Sequence, residues 1–340
     1  MKLSMRLGKN SYDIILKRGA LANLSGLANL DRRVFIVTDS GVPEQYAQTV
    51  ARQCSWAAVY TVPQGEGSKC MKQYEALLSA MLEFDMDRGD LVIAVGGGVV
   101  GDLAGFAAAT YMRGVDFINC PTTTLSQIDS SIGGKTAVDF GGAKNIVGAF
   151  WQPRLVVVDP DTLSTLPRRH CVNGLAEAVK MSLTFDAGLF EMFETCDVEK
   201  DIETIIHRSL LLKKRVVEQD EREAGLRAVL NFGHTIGHGI EAMKGITGRR
   251  KNGLYHGECV SLGTLPMIED KALLKRTRAV YRRLGLPTRI AVNQEKIMEY
   301  IRHDKKSRSG YITVIKVPGI GCWRMEKLTL EQVQQLMAGK

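Results

Sequence analysis

Apolar positions in the first half of the chain fall into short runs separated by stretches of helical period. Val34-Phe35-Ile36-Val37-Thr38 is continuously apolar and stops at Asp39-Ser40-Gly41, the pattern of a strand covered on both faces. Helical spacing follows from Tyr46 to Gln53, and then a second run, Ala58-Val59-Tyr60-Thr61-Val62. A helix predicted from Met71 to Phe84 leads into a third run, Leu91-Val92-Ile93-Ala94-Val95. Further strands are predicted at Phe117–Asn119 and Leu155–Val158, and the polar N-terminus, MKLSMRLGKNSYDI, reads as a strand pair. Strands alternating with helices predict an α/β, Rossmann-like domain with a doubly wound, mostly parallel sheet.

From about Leu175 the texture changes. Helical periodicity predicts helices over Leu175–Met192, Ile202–Val217, Leu226–Met243 and Glu258–Lys275, with few strand candidates. Near the end, Tyr311–Ile315 and Cys322–Met325 are spaced to pair across Pro318-Gly319-Ile320-Gly321. A boundary near Pro167 therefore gives residues 1–168 to the α/β domain and 169–340 to a mainly helical one. No internal repeat or low-complexity segment interrupts this plan.

Composition narrows the function classes. A chain of 340 residues has room for two cores. The net charge of +8 comes without any long run of lysine and arginine, so it indicates no nucleic-acid partner and leaves a solvated basic surface or a site for an anionic substrate. Seven cysteines without close pairing form neither a disulfide framework nor a zinc-finger pattern, which points to reduced thiols in the cytoplasm. The most apolar stretch, Leu91 to Thr110, is broken by five glycines and Asp102, so no membrane span is expected.

Three segments carry candidate chemistry. Gly96-Gly97-Gly98-Val99-Val100-Gly101 satisfies G-x-G-x-x-G between a strand and a helix from Val99. In that setting glycine lets the backbone approach a pyrophosphate, and the helix N-terminus offers unpaired N–H groups; tight strand–helix packing would use glycines too. The acid that would hold a ribose is either Asp116, about 20 residues on, or Asp39 at the end of its own strand. The segment 121–136, PTTTLSQIDSSIGGKT, has the hydroxyls, glycines and lysine of an anion-binding turn. Finally, His234 and His238 lie one helical turn apart on one face, with His256 placed to close a site from the next helix start. Glu177, Glu241 and Glu258 are the carboxylate candidates, and spacing leaves the ligand set of a mononuclear zinc site open.

Read together, these motifs resemble the 3-dehydroquinate synthase family over nearly the whole chain. The resemblance rests on residues 96–106 (GGGVVGDLAGF), Tyr111-Met112-Arg113-Gly114, residues 121–136, Lys144-Asn145 and Gly174-Leu175-Ala176-Glu177. It continues through residues 220–227 (DEREAGLR), 231–238 (NFGHTIGH), His256-Gly257-Glu258 and Asp304-Lys305-Lys306. It implies an NAD-binding N-terminal domain, a helical metal-binding C-terminal domain and a homodimer. Carried onto matching positions, it gives the metal, zinc or else cobalt, to Glu177, His234 and His256, leaving His238 to face substrate. NAD would meet Asp39, Glu66, Lys69, Gly97, Gly98, Val99, Asp102, Thr122, Thr123, Leu125, Asp129, Lys144 and Thr165. Substrate would meet Asp129, Lys135, Lys144, Asn145, Lys180, Lys213, Glu223, Arg227, Asn231, His238 and Lys305, with Arg113 reaching across the dimer interface.

The implied substrate is the anionic sugar phosphate 3-deoxy-D-arabino-heptulosonate 7-phosphate. Oxidation by NAD acidifies the neighbouring carbon, phosphate is eliminated, the hydride returns, and ring opening with an aldol closure makes the carbocycle. Another sugar phosphate cyclase, or a metal-dependent polyol dehydrogenase, is the alternative reading of the same parts. The chain departs from the family pattern at His170, where an acid is common, at Asp139-Phe140-Gly141-Gly142-Ala143, and in the long basic stretch Gly248 to Gly253.

Overall fold

In this computed structural model, residues 1–243, 253–289, 294–303 and 310–338 are described. Nine strands precede residue 160: β1 (Lys2–Met5), β2 (Tyr12–Leu16), β3 (Arg33–Asp39), β4 (Trp56–Val62), β5 (Leu91–Gly96), β6 (Asp116–Pro121), β7 (Lys135–Phe140), β8 (Ala143–Phe150) and β9 (Leu155–Val158). Seven of them form one sheet in the order β1-β2-β9-β6-β5-β3-β4. Every pairing in it is parallel except β1 with β2.

The apolar runs explain this order. All six residues of β5 and all four of β9 are buried, as strands covered on both faces must be. β4 lies at the edge, and only Val62 of its seven residues is buried. Alternate side chains point to opposite faces. Phe35, Val37 and Val92 pack with Leu77 of helix α2 (Met71–Glu83) and Leu103 of helix α3 (Gly98–Thr110); α1 spans Glu44–Ala51. Val34, Ile36 and Ile93 pack on the other side with Val50 of α1.

β7 and β8 form a separate antiparallel hairpin where the sequence pattern predicts no strand. Its turn is Gly141-Gly142, both with positive φ (61° and 80°), between the paired residues Phe140 and Ala143. Two-residue hairpin turns need that left-handed geometry, and paired glycines supply it.

The rest of the chain is mainly helical: α4 (Arg168–Phe185), α5 (Ala187–Thr195), α6 (Val198–Gln219), α7 (His234–Glu241), α8 (His256–Thr264), α9 (Lys271–Leu284), α10 (Gln294–His303) and α11 (Leu330–Ala338), with the hairpin β10 (Tyr311–Gly319) and β11 (Cys322–Thr329). Three predicted helices were too long. Leu175–Met192 breaks where Asp186 caps α5, accepting from the Leu189 N–H at 3.0 Å. Glu258–Lys275 breaks at Pro266, and α9 restarts under an Asp270 cap (Leu273 N–H, 2.6 Å). Leu226–Met243 divides into a 3₁₀ turn over Leu226–Asn231 and α7, with Gly233 at φ 79° between them.

The chain divides into two compact units, Met1–Cys171 with Lys213–Arg222, and Val172–Leu212 with Glu223–Lys340. The sequence boundary did not anticipate that Lys213–Arg222 groups with the first unit. No helix among the described residues is long and apolar enough to cross a membrane.

Candidate active site

In the first unit, the glycine turn closes the C-terminal end of β5. Gly97 precedes α3 without any side-chain cap, so the helix N-terminus keeps its N–H groups for something else. The glycines divide in role. A methyl group on Gly96 would fall 2.6 Å from Val100 Cγ2, and one on Gly105 2.5 Å from Thr136 Cγ2, so these two serve packing. Methyl groups on Gly97 and Gly98 would face Thr123 Cγ2 and Ser130 Oγ, each at 3.1 Å. Ser130 Oγ is buried with no hydrogen-bond partner among the described residues, as are the hydroxyls of Thr124, Ser126 and Ser131. Unsatisfied buried hydroxyls are costly, and Ser130 Oγ beside the helix N-terminus fits an anionic group such as a pyrophosphate.

Strand register separates the two ribose candidates. Asp116 is level with Leu91 at the start of β5, the far end from the glycines, and is held by Arg32 (2.8 Å) and Arg154 (2.7 Å). β3 runs parallel to β5 with Val37 opposite Ala94, so Asp39 reaches the end that carries Gly96. Its Oδ1 accepts from the N–H groups of Gly41 (2.7 Å) and Val42 (3.2 Å), while Oδ2 takes no hydrogen bond from the described residues.

Around α3 the structure gathers Glu66, Lys69, Asp102 and Lys144. The buried Lys69 Nζ lies 2.6 Å from Asp102 and 3.8 Å from Glu66, which also stands 3.9 Å from Lys144. Burial disfavours charge on Lys69, but Asp102 and Glu66 outweigh it and raise its pKa. Lys213 reaches both the Asp129 carboxylate (2.7 Å) and its carbonyl oxygen (2.6 Å). Thr122 donates its N–H to the Gly96 carbonyl, and the exposed Thr165 shares a hydrogen bond with Tyr46 (2.9 Å). Lys135, Lys144, Asn145 and Arg113 are exposed, and Val99 and Leu125 are half-buried. Arg113 (φ 68°), Asn145 (φ 55°) and Glu223 (φ 62°) are three of the five described non-glycine residues with positive φ, a backbone strain that concentrates at functional positions.

In the second unit, α4 is buried continuously from Asn173 to Thr184 and carries Glu177 fully inside. Three cationic or basic groups face its carboxylate: the Lys180 ammonium in contact, His256 Nε2 at 3.3 Å and His234 Nε2 at 3.6 Å. Burial alone would raise the Glu177 pKa, yet Lys180 and His256 hold it down at about 2. Burial likewise opposes charge on His256, but Glu177 and Glu241 push its pKa up to about 10. His234 goes the other way, because burial, Lys180 and the two neighbouring histidines keep it neutral. Glu177, His234 and His256 bring one ligand atom each within 4.8 Å of one another, and a carboxylate with two imidazoles is a donor set suited to zinc or a similar divalent ion.

His238 does lie beside His234, with ring centroids 5.0 Å apart, so the one-turn spacing was read correctly. It is exposed and groups with Glu241 and His256 rather than with Glu177. Glu258 is occupied in capping α8, accepting the Tyr255 N–H at 2.9 Å. Lys180 donates to the Leu230 carbonyl, Arg227 is buried in the following turn, and Asn231 Nδ2 donates to Glu223 at 2.5 Å. Lys305 lies outside the described residues, as does the segment 248–252.

Sequence reading missed how the helices carrying Glu177, His234 and His256 approach. A methyl group on Gly257 would fall 1.9 Å from the Asn173 carbonyl oxygen of α4, and one on Gly263 2.0 Å from the Gly233 carbonyl oxygen. Asn173 Oδ1 accepts the Gly257 N–H at 2.6 Å, tying the start of α8 to α4. Glycine next to His256 was the available signal.

Comparison with known proteins agrees with this geometry. Residues 59–173 match the family described as 3-dehydroquinate synthase N-terminal, and residues 174–307 that described as 3-dehydroquinate synthase C-terminal. A 3-dehydroquinate synthase from Pelobacter propionicus is 40% identical, with 98% of each chain covered. Among solved structures, a 2-epi-5-epi-valiolone synthase from Streptomyces hygroscopicus with NAD+ and Zn2+ bound superposes with a TM-score of 0.86 at 27% identity, covering 98% of each chain. A 2-deoxy-scyllo-inosose synthase complexed with carbaglucose-6-phosphate, NAD+ and Co2+ gives 0.89 at 23%, covering 99% of each, a likeness of fold alone. With both halves matched in order and a relative this similar along the full length, the chain belongs to the 3-dehydroquinate synthase family.

Proposed function

We propose that the chain converts 3-deoxy-D-arabino-heptulosonate 7-phosphate to 3-dehydroquinate and inorganic phosphate in the shikimate pathway, with NAD as a recycled cofactor and a divalent metal, zinc in the first instance. The observation that carries the reading is the meeting of Glu177, His234 and His256, one ligand atom from each within 4.8 Å of the others, at a fully buried carboxylate. When bound, NAD takes up and returns a hydride, and the metal polarises substrate hydroxyl oxygens as a Lewis acid.

The chain's own residues supply the rest. Asp39 presents Oδ2 to a ribose because Oδ1 is fixed by two backbone N–H groups. The uncapped start of α3, with Thr123 and Ser130 beside it, receives the pyrophosphate. Lys180 and Arg227, both buried, offset the negative charge of the substrate. Glu223 holds the Asn231 amide, which orients a substrate hydroxyl, and the exposed His238 moves protons. The reading includes a cytoplasmic homodimer in which Arg113 approaches the partner's site.

The test is incubation of metal-loaded protein with catalytic NAD and, separately, the heptulosonate, sedoheptulose 7-phosphate and glucose 6-phosphate. Phosphate released from the heptulosonate without standing NADH is the expected result. Phosphate from one of the other sugars instead identifies a sister cyclase, and net NADH identifies a dehydrogenase; either refutes the proposal.

A further inference from the structure

The two histidines that face Glu177 are held from behind in different ways. His234 Nδ1 lies 3.3 Å from the Phe232 carbonyl, and His256 Nδ1 lies 3.1 Å from Glu241 Oε2. Both rings therefore turn Nε2 toward Glu177. A backbone carbonyl and a carboxylate only accept hydrogen bonds, so Nδ1 carries a hydrogen in each ring, and Nε2 is the nitrogen whose lone pair would go to a metal, in His256 once its proton is displaced. Glu241 is the last residue of α7, which begins with His234. One helix thus supplies one of the three converging groups and grips another that belongs to α8.

We propose that Glu241 is a positioning residue that fixes the tautomer and ring orientation of His256 and strengthens it as a metal ligand. This rests on the metal assignment proposed above. A carboxylate behind a ligating histidine orients the ring and raises its basicity, and loss of such a partner typically weakens metal binding roughly 10–100-fold. Glu241 itself stays out of the coordination, because Glu177 already provides the carboxylate on the Nε2 side of both rings.

The test measures the zinc dissociation constant of the full chain by competition with a chromophoric chelator, alongside the visible spectrum of the cobalt-loaded protein. Five variants are compared: Glu241→Ala, Glu241→Leu, which keeps most of the volume, Glu241→Gln, which keeps an acceptor oxygen, Glu177→Ala and His238→Ala. Expected is a loss of roughly 10–100-fold in affinity for alanine and leucine with an altered cobalt spectrum, partial recovery for glutamine, and no specific binding for Glu177→Ala. If either the alanine or the leucine protein fails to fold, the other decides. Wild-type affinity and spectrum in the folded variant overturn the inference while Glu177→Ala still loses metal. Retention of metal by Glu177→Ala, with loss in His238→Ala, would instead place the ion on His238, Glu241 and His256 and overturn the parent reading as well.

Discussion

Replacing Gly257 by alanine tests whether helix spacing, more than ligand identity, sets the proposed metal centre. Gly257 follows His256 and abuts Asn173 on α4, one turn before Glu177. The added methyl would sit 1.9 Å from the Asn173 carbonyl oxygen, short of ordinary contact by about 1.5 Å. Backbone on both sides leaves no flexible side chain to yield, so α4 and α8 must part by a similar distance. Metal–ligand distances tolerate only about 0.2 Å, so separating Glu177 from His256 by even a fraction of that shift disables a site that uses both. Alanine gains up to about 1 kcal/mol over glycine within a helix, but overpacking costs about 1–3 kcal/mol or more, and the contact here is a severe one. The expected outcome is a metal-free protein destabilised by about 1–2 kcal/mol and zinc affinity reduced by at least about tenfold. Thermal unfolding of the metal-free protein and chelator competition measure the two effects. Gly263→Ala, which presses on the Gly233 carbonyl at 2.0 Å, is expected to act in the same way from the α7 side. Wild-type zinc affinity in Gly257→Ala would show that the close approach does not govern the site.

Other perturbations separate the remaining claims. Glu177→Gln strands the buried Lys180 ammonium, so it is expected to lose metal and activity and about 3–5 kcal/mol of stability, read by metal analysis and denaturant unfolding; unchanged metal content contradicts the ligand assignment. Asp39→Ala is expected to weaken NAD binding at least about tenfold, whereas Asp116→Asn leaves it unchanged and lowers stability by about 1 kcal/mol. Equal effects on NAD titration would refute the assignment by strand register. For His256, raised from 6.5 to about 10 in the metal-free protein, the stabilisation is complete below pH 6.5 and is lost as pH rises toward 10. Metal competes for the same nitrogen, so apparent zinc affinity should climb about tenfold per pH unit below that value, with about one proton released per zinc, measured by calorimetry in buffers of different ionisation enthalpy. A flat affinity between pH 6 and 8 would remove His256 from the site.

The parallel sheet was readable because its strands are buried on both faces and so appear as unbroken apolar runs at Val34–Thr38, Leu91–Val95 and Leu155–Val158. The β7–β8 hairpin was not, since β8 is largely exposed and carries no unbroken apolar run to mark it, and a glycine pair such as Gly141-Gly142 also suits an open loop. Helix ends failed for a related reason. Asp186, Pro266 and Gly233 interrupt apolar periodicity that continues past them, so period alone joined elements that capping and backbone geometry divide.

The proposed metal ligands show where one-dimensional spacing stops being informative. His234 and His238 share a helix face, as their spacing requires, and that face points two ways: one ring toward Glu177, the other toward solvent. Which of them meets a carboxylate depends on α4, whose Glu177 lies 57 positions before His234 and whose approach to α8 is allowed by Gly257, while Gly263 lets α8 close on α7. The same dependence separates the three acids that spacing could not rank. Glu258 caps the helix it sits on, Glu241 grips the back of His256, and Glu177 alone is fully buried facing both His234 and His256. A buried carboxylate demands positive charge, and the packing around Glu177 presents Lys180 and two imidazoles to it, the arrangement on which the proposed metal site rests.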